Sequence, residues 1–518
     1  MSFPTTLDDF TNPAPAMPTN SMTIPLSTAI SQLNNAVEEI EAKIGISGSQ
    51  VAGTVEKRLI DTISVSNAAY SIANTGLSGA RTAINVPDGF GFDFAKLPTT
   101  LSLYRKPSGT IEWTYDYLQG IPSGCKSAPL SRIIHVSNSG SSGNTGVGAY
   151  LGDFSNAKVS IGAAITYGNS LGAAYRVVVK SGTYLRNEAW NVAPTQDCWI
   201  QGWIDETGVK PVSTANNDYT WTLDGTYTNC YKTTRSAALR VFDSTYTDAQ
   251  GCYRELTKQA SLSACNTNPN SWYTDGTTVY VYRQDGQAPT TVSTLLMINV
   301  NVYLTASGGG DLYVSNMRFF GGTGAFTGCP TKTATLVDCD FAYQGGSALA
   351  IDALQILDFK QVVCVRCRAY CAYKDGINVH ANGGNIPQLL TLDCSGWRNG
   401  AAGILSCNGW TTHDAVKAID VNGRYYANRG FNIACVDDST HSWLIGTNSA
   451  FSYGDGTSPP CAYYFTNAGS YWMDSCVGEQ CEYNLWVTLS AQVKTHSCIA
   501  RDCRIETSAT GGAAITAY

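Results

Sequence analysis

The first regular hydrophobic pattern of the chain follows a proline-rich start. Residues 1–26 contain five prolines and no periodic apolar positions, which predicts an extended arm. After Ser27 the apolar residues take the 3-4-3-4 spacing of a heptad seam, which Gly45 ends. The seam residues are Ile30, Leu33, Val37, Ile40 and Ile44. A helix of about 18 residues is marginally stable alone, so we expect partner helices, and the Ile/Val-rich seam favours three of them. An amphipathic helix that packs on its own domain is the alternative.

From Cys125 onward the apolar positions form the short runs that are typical of β-strands. A strand at 133–136 is followed by a Gly/Ser-rich loop, a helical pattern over 158–167 and an apolar strand over 176–184. The preceding stretch is mixed, with a second helical pattern over 51–64. We therefore divide the chain into three parts. These are an extended attachment arm at 1–26, a helical stem and connector at 27–124, and a β body at 125–518 with a capping region over about 125–200.

The β body contains an internal repeat. A short strand followed by a turn and a small residue recurs every 22–29 residues. The equivalent small residues are Cys339, Cys367, Cys394, Gly423, Ser449, Cys476 and Cys498. This period predicts one coil of a parallel β-helix per repeat, because each coil buries its inner face only by stacking on its neighbours. Propeller blades need about 40 residues per repeat. The sequence therefore predicts an all-β chain built as a parallel β-helix solenoid.

Composition narrows the classes of function. Only 14 % of the residues are charged and 43 % are hydrophobic, which excludes a disordered chain. The net charge of −7 does not favour nucleic acid as a partner. No run of 18 apolar residues occurs, so we expect no membrane insertion. The first ten residues lack the basic start and apolar core of a signal peptide.

The cysteines need a structural explanation. All 18 lie between Cys125 and Cys503, and five of the seven equivalent repeat positions are cysteine. The repeat predicts a column of free thiols that pack as small hydrophobic side chains. Two alternatives remain at this stage. One is a zinc site, and the other is a set of disulfides between near neighbours in the last coils. The zinc ligands would be Cys364, Cys367, Cys371 and His380, and the disulfides would join Cys476 or Cys498 to Cys481 or Cys503.

Candidate chemistry concentrates where three of the five histidines fall close together. The glycines at 376, 403 and 430 are spaced by 27 residues and align three coils, so the following loops are predicted to lie along one edge. Asp375 lies on the corner that precedes these loops. The same alignment predicts that Arg429 occupies the equivalent position two coils later. The predicted catalytic residues are Asp375, His380, His413, Asp414, Asp437 and Asp438. The predicted substrate-binding residues are Arg429, His441, Trp410 and Trp443.

These residue types fit the cleavage of glycans. Two carboxylates can act as acid and base, or as acid and nucleophile, in glycoside hydrolysis. A lyase instead needs a base beside a cation, for which His380 or His413 with Arg424 or Arg429 would serve. Trp faces would stack on sugar rings. The alternative is that Asp side chains only cap turns and His side chains only satisfy the backbone. We expect no metal site and no cofactor, unless the chain is a lyase that uses calcium.

Four stretches carry a resemblance to known proteins. The segments Lys374-Asp-Gly-Ile-Asn-Val-His380 and Asn408-Gly-Trp-Thr-Thr-His-Asp414 resemble strings in neighbouring coils of phage and prophage β-helix proteins. The apolar strand that ends in Gly182-Thr-Tyr184, after a short helix, resembles the first coil of pectin-lyase-like right-handed parallel β-helices. The arm and heptad seam, through Ile44-Gly-Ile-Ser-Gly48, resemble virion tail or baseplate proteins. As a whole, the chain resembles a bacteriophage tailspike or tail-associated receptor-binding protein.

The resemblance implies a location and a task. A tailspike is a homotrimer in the virion, and residues 1–45 would dock on other phage tail or baseplate proteins. Its right-handed parallel β-helix would act at the host cell surface, where it binds and cleaves polysaccharide as a glycoside hydrolase or a lyase. Whether the chain is an enzyme stays open, because a non-catalytic adhesin or structural spike would share these features. A free secreted lyase is a third reading. The chain departs from the resemblance in having no recognisable C-terminal β-sandwich before Tyr518.

Overall fold

The computed structural model describes residues 81–90, 101–204, 208–291, 293–298, 309–322, 324–327, 329–345, 352–381 and 385–518. The arm at 1–26 and the heptad seam at 30–44 lie outside the described residues. Within the described part, none of the helices is long and apolar enough to cross a membrane.

Three parallel sheets form the body of the protein, and each coil passes through them in the order A, B, C. Among the described residues, sheet A has 12 strands, sheet B has 10 and sheet C has eight. The strands of sheet A are Ile133–Val136, Tyr175–Lys180, Cys198–Trp203, Leu312–Ser315, Cys329–Val337, Phe359–Val365, Gln388–Leu392, Lys417–Val421, His441–Ile445, Ser470–Asp474, Gln492–His496 and Ala514–Ala517. The strands of sheet B are Thr183–Tyr184, Val212–Thr214, Arg318–Phe320, Asp340–Ala342, Arg368–Tyr370, Ser395–Trp397, Arg424–Tyr426, Asn448–Ala450, Val477–Glu479 and Ile499–Arg501. The strands of sheet C are Gly324–Phe326, Leu354–Ile356, Ile377–Val379, Trp410–Thr412, Phe431–Cys435, Cys461–Phe465, Tyr483–Val487 and Ile505–Ala509.

This arrangement is a parallel β-helix, as the repeat predicted. Strands of one sheet come from successive coils, and each pairs in parallel with its counterpart in the next coil, for example Leu389 with Ala418 and Ala418 with Ser442. The inward side chains of all three sheets merge into one apolar core. A helix at Ile161–Ser170, close to the predicted 158–167, packs against the first two strands of sheet A. The hydroxyl of Ser160 accepts a hydrogen bond from the N–H of Ala163 and so caps this helix.

From strand Leu312–Ser315 onward, a two-residue turn joins each sheet A strand to the following sheet B strand. Its first residue has a positive φ, as at Asp338 (54°), Asp393 (51°) and Asn422 (55°). Such a conformation suits Asn, Asp and Gly better than other residues, and these types recur at this position. Its second residue points into the core. The turns stack because the N–H of one turn donates to the sheet A carbonyl of the next coil, as from Asp393 to Val421 at 2.9 Å.

The inward turn residue is the predicted small-residue column, with one correction. The strand register aligns Gly423, Thr447 and Cys476, so Thr447 takes the place that the sequence pattern gave to Ser449. The buried carboxylate of Asp420 explains why cysteine is absent from two coils. It accepts a hydrogen bond from Thr447 at 2.7 Å, and a Cβ at Gly423 would lie 2.2 Å from its Oδ2. All 18 cysteines are free thiols.

The outer face of sheet A is covered by the N-terminal segment. An antiparallel sheet of Thr82–Ile84, Ser102–Arg105 and Ile111–Thr114 leads into short helical turns at Tyr117–Gly120, Ser123–Lys126 and Leu130–Arg132. Phe90, Leu103 and Ile111 of this segment join an apolar cluster with outward residues of sheet A. The sequence placed residues 81–124 in a helical stem and connector. In the structure, the described part of this range forms strands that pack on the β body. They do so because the outward residues of sheet A are apolar and need a cover.

The second unforeseen element is an insertion between sheet B strand Val212–Thr214 and sheet A strand Leu312–Ser315. It contains a five-stranded sheet and a three-stranded sheet. The first consists of Thr222–Leu223, Tyr231–Thr234, Thr257–Lys258, Ser271–Thr274 and Thr278–Tyr282, and the second of Ala238–Thr247, Tyr253–Glu255 and Thr294–Ile298. A short helix, Leu262–Thr267, accompanies them. Phe242 and Tyr253 of the insertion pack on outward aromatic residues of sheet B, and the rings of Tyr253 and Tyr343 stack at 4.9 Å.

Candidate functional site

Two histidines and two aspartates meet on the loops that leave sheet C. His380 follows strand Ile377–Val379, and His413 follows strand Trp410–Thr412 in the next coil. The register pairs Val379 with Thr412 and Thr412 with Cys435, which places Asp414 and Asp437 at the same step of consecutive coils. Asp414 and Asp437 both have a positive φ, which Asp tolerates better than most residues. We call these four residues the His–Asp ladder.

The ladder has a regular geometry. The imidazoles of His380 and His413 stack at 4.0 Å between ring centroids, with 9° between their planes. Nδ1 of His380 lies 3.1 Å from Oδ2 of Asp414, and Nδ1 of His413 lies 2.9 Å from Oδ2 of Asp437. Each histidine therefore takes its carboxylate partner from the following coil. The stacking follows from the spacing of about 4.8 Å between parallel strands.

Burial and charge set the protonation of His413. Burial, together with the charge of His380, lowers the pKa of His413 to about 4, against the opposing effect of Asp437. The imidazole is therefore neutral at neutral pH. Donation from Nδ1–H to Asp437 leaves Nε2 as the basic nitrogen, in the manner of a His–Asp pair that acts as a general base. The carboxylates are more exposed than the rings, at 47 % for Asp414 and 44 % for Asp437 against 19 % for His413.

Two other predicted residues of this edge have different surroundings. Asp438 is exposed, and its carboxylate accepts a hydrogen bond at 2.8 Å from the N–H of Ala468 in the following loop. His441 begins a sheet A strand on its outer side, where its ring lies 6.3 Å from that of Trp472. Burial, with a smaller effect of Lys417, lowers the pKa of His441. Asp438 thus serves to hold a neighbouring loop, and His441 belongs to the covered face of sheet A.

The two predicted sugar platforms need correction. Trp410 is completely buried in the β-helix core, because the first residue of its sheet C strand points inward. Trp443 is also completely buried, on the outer side of sheet A, with its ring 5.8 Å from that of Phe90. Neither ring is available to a sugar. The sequence pattern could not separate an exposed aromatic residue from one that the N-terminal segment covers.

The predicted alignment of Asp375 also needs correction. The register pairs Ile377 with Trp410 and Trp410 with Ile433, so Gly376 is equivalent to Gly409 rather than Gly403. The equivalents of Asp375 are Asn408 in the next coil and Phe431, not Arg429, two coils on. Asp375 lies at the end of sheet C opposite the ladder, and it is buried. Its Oδ1 accepts a hydrogen bond of 2.7 Å from the N–H of Asn408.

A second buried carboxylate, missed in the sequence, accompanies Asp375. Asp352 of the preceding coil accepts hydrogen bonds from the N–H of Asp375 and the side chain of Asn378, both at 3.0 Å. Burial first, and then the charge of Asp352, raise the pKa of Asp375 to about 8. Asp352 stands 23 positions before Asp375, within the range of one coil, which is the signal that could have revealed it. The pair joins two coils, and Nζ of Lys374 lies 3.8 Å from Oδ2 of Asp375.

Arg429 lies in a separate pocket between sheet B and the insertion. This pocket has a volume of about 450 Å³ and is also lined by Arg240, Glu255, Arg398 and Tyr453. Arg429 is half-buried. The structure therefore separates this residue from the ladder, with which the sequence grouped it.

A metal site requires several donor side chains that converge on one point. Within the described residues, no group of three or more His, Cys, Asp or Glu side chains is arranged to hold a metal ion. The column cysteines instead donate to carbonyls of neighbouring coils, as Cys367 does to Leu336 at 3.4 Å. The cysteines of the zinc alternative, Cys364, Cys367 and Cys371, are thus buried free thiols that do not converge on a metal site with His380.

Comparison with known proteins gives only distant similarities. No protein-family model and no curated protein matches the chain. The structure of XylC with xylose is 12 % identical, with a TM-score of 0.42 over 70 % of this chain and 68 % of that one. A glycoside hydrolase is 10 % identical, with a TM-score of 0.42 over 74 % of this chain and 96 % of that one. A tailspike of Acinetobacter baumannii bacteriophage AP22, in complex with capsular saccharide, is 11 % identical. Its TM-score is 0.19 over 69 % of this chain and 67 % of that one. Similarities of this size assign neither a family nor an activity.

Proposed function

We propose that the chain is a trimeric phage tailspike with a right-handed parallel β-helix that binds and cleaves host surface polysaccharide at the His–Asp ladder. The observation that carries the catalytic part is the stacked pair of imidazoles, each with its own carboxylate, on adjacent coils. The N-terminal arm and heptad seam support attachment to the virion through residues 1–45, at other phage tail or baseplate proteins. The place of action is then the host cell surface.

The geometry favours elimination over hydrolysis. Hydrolysis would use two free carboxylates, whereas Asp414 and Asp437 each engage a histidine. In an elimination, Nε2 of His413 takes the proton from the carbon next to a uronate carboxylate. The C–H electrons form a C=C bond as the neighbouring glycosidic C–O bond breaks. The leaving oxygen receives a proton from His380 or from water, so the products are an unsaturated sugar and a new hydroxyl end.

A second candidate function is binding without cleavage. A groove of about 880 Å³ runs beside the turns between sheets A and B, lined by Lys210, Arg366, Arg368 and Arg424. No histidine occurs among the described residues that line it. Asp338 and Asp393 also line the groove, which has the volume and the cations to hold an anionic glycan. In this case the chain would be an adhesin or a structural spike.

The deciding experiment incubates the full chain with a panel of purified capsular and lipopolysaccharide glycans. An ultraviolet-absorbing unsaturated product identifies a lyase, and new reducing ends without that absorbance identify a hydrolase. We expect His413→Ala to lower the turnover number at least about 100-fold, the usual contribution of a general base. Binding of a glycan without any product would overturn the catalytic proposal and leave the adhesin.

A matched control separates catalysis from stability. His496 also contacts an aspartate, with its Nδ1 3.4 Å from Oδ1 of Asp474, but it lies at the end of a sheet A strand away from the ladder. His496→Ala removes the same ring and should keep turnover within about twofold. Equal losses in His413→Ala and His496→Ala would show that the ladder only supports the fold.

A further inference from the structure

Three arginines line the pocket between the insertion and sheet B, and two of them pair with carboxylates of the insertion. Arg240 pairs with both carboxylate oxygens of Glu255, at 2.8 and 2.7 Å, and donates to the carbonyls of Gln344 and Cys371. Arg398 forms an ion pair with Asp248 of the insertion. These interactions join the insertion to the β body and leave little capacity for a ligand.

Arg429 differs from both. Among the residues that the structure describes, no carboxylate pairs with Arg429, and its buried Nε has no hydrogen-bond acceptor. Buried donors in native proteins are almost always satisfied. The carboxylate of Asp455 is not free to serve, because it accepts hydrogen bonds from the N–H groups of Ser406, Thr457 and Ser458. The pocket therefore presents a guanidinium that lacks its anion.

The backbone fixes the position of this arginine. The N–H of Arg429 donates to the carbonyl of Asn399 at 2.9 Å. Gly400 has a φ of +108°, and a Cβ there would lie 2.6 Å from Cβ of Arg429. Any other residue at 400 would therefore displace Arg429. The pocket also offers aromatic surface from Tyr253 and from Tyr453, whose side chain is 64 % exposed.

We infer that the Arg429 pocket binds the carboxylate of an acidic sugar residue. A planar guanidinium matches a carboxylate in geometry and charge, and tyrosine rings provide an apolar face for a sugar ring. The volume of about 450 Å³ lies within the range of small-ligand sites, about 300–1,000 Å³. This inference rests on the proposed function for the assumption that the ligand is a glycan.

The test uses D-glucuronate and its methyl ester as probes for the full chain. The ester keeps the ring but removes the charge, so titration by saturation-transfer NMR measures the contribution of the carboxylate. We expect the acid to bind at least about tenfold more tightly than the ester. Arg429→Gln should weaken glucuronate binding by a similar factor and leave the affinity for the ester unchanged. Arg429→Lys, which keeps the charge, should have an intermediate affinity.

The control is Arg504→Gln, which removes an exposed arginine that pairs with Glu482 in the last coils. It should leave both affinities unchanged. Equal affinity for acid and ester, undetectable binding of glucuronate, or wild-type affinity in Arg429→Gln each overturns the inference. If one of these occurs while His413-dependent cleavage of a host glycan persists, the proposed function stands and only the role of Arg429 is lost.

Discussion

Single residues at the turn between sheets A and B determine which side chains the β-helix accepts. The inward position lies close to the carbonyls of the preceding coil, and cysteine fits there as a small side chain with a weak donor. Cys394 donates to the carbonyl of Cys364 at 3.4 Å, and Cys476 to that of Leu444 at 3.3 Å. Where Asp420 occupies the core instead, the column changes to Gly423 and Thr447 to make room for the carboxylate and satisfy it. The cysteine count is thus a consequence of coil packing.

This packing predicts low thiol reactivity. Sixteen of the 18 thiols are buried, and only Cys498 and Cys503 are partly exposed. Burial also raises the pKa of the column thiols Cys339, Cys394 and Cys476, and that of Cys435 in sheet C to about 12, which suppresses the reactive thiolate. Titration with a chromogenic disulfide should therefore detect at most two fast-reacting thiols in the native protein and 18 in denaturant. Rapid reaction of six or more native thiols would contradict the packing explanation.

The ladder predicts a pH dependence with a defined sign. The active form of His413 is the neutral imidazole, which exists above its pKa of about 4, so kcat/KM should fall as the pH decreases through about 4. Asp437 raises the pKa of His413, and His380 lowers it. The acidic limb should therefore move to lower pH in Asp437→Asn and to higher pH in His380→Ala. Shifts of the same sign in both variants would exclude His413 as the group that titrates.

At the scale of elements, the faces of the β-helix differ in what covers them. The outward residues of sheet A include Trp443 and Trp472, and the N-terminal segment shields both from water. Phe90 lies between them, with its ring 5.8 Å from that of Trp443 and 5.3 Å from that of Trp472. The outer face of sheet B is partly covered by the insertion. The ladder, in contrast, projects from loops at the edge of sheet C, where its carboxylates remain about half exposed.

Removal of Phe90 should uncover this face. Phe90 is completely buried, so Phe90→Ala should lower the free energy of unfolding by about 3 kcal/mol, the usual cost of a large cavity. It should also shift tryptophan emission to longer wavelength as Trp443 and Trp472 gain water contact. Val86→Ala, at a position that is 41 % exposed in the same segment, is the control and should change neither property. Unchanged stability and emission in Phe90→Ala would mean that the segment does not protect sheet A.

On the scale of the whole molecule, stacking explains why the coils of the β body share one apolar core. Each coil contacts mainly its neighbours, so the stack grows without a change in the local structure. Sites then form wherever loops of consecutive coils project together, as in the ladder, or where an added element meets the stack, as at Arg429. The oligomeric state is also a property of the whole molecule. Its prediction comes from the heptad seam.

The seam predicts a trimer that depends on its apolar positions. The full chain should sediment at about three times its own mass of 55.3 kDa. Ile40→Glu places a charge in the seam and should yield monomers with an unchanged far-ultraviolet circular dichroism spectrum. Glu41→Gln, on the flank of the seam, should remain trimeric. Sedimentation of the wild-type chain as a monomer would exclude the trimer.

The coil period, the inward column and the grouping of His380 with His413 could be predicted from the sequence. These features depend on local spacing, and a parallel β-helix converts a spacing along the chain directly into stacking in space. Ser449, Gly403 and Arg429 were misaligned because loops of variable length between sheets B and C shift the count in some coils. The register of the strands, not the average period, decides those positions.

The sequence by itself determined the repeating fold of the body and the loops that carry the ladder. Only the tertiary structure decided which faces are covered. Trp410 and Trp443 have the same residue type as exposed sugar platforms, but they are buried by the core and by a segment more than 300 residues away in the chain. Tertiary structure also decided that Asp352 and Asp375 share a buried site and that Arg429 faces the insertion. Burial and the raised or lowered pKa values that follow from it depend on neighbours distant in the chain, which no local pattern encodes.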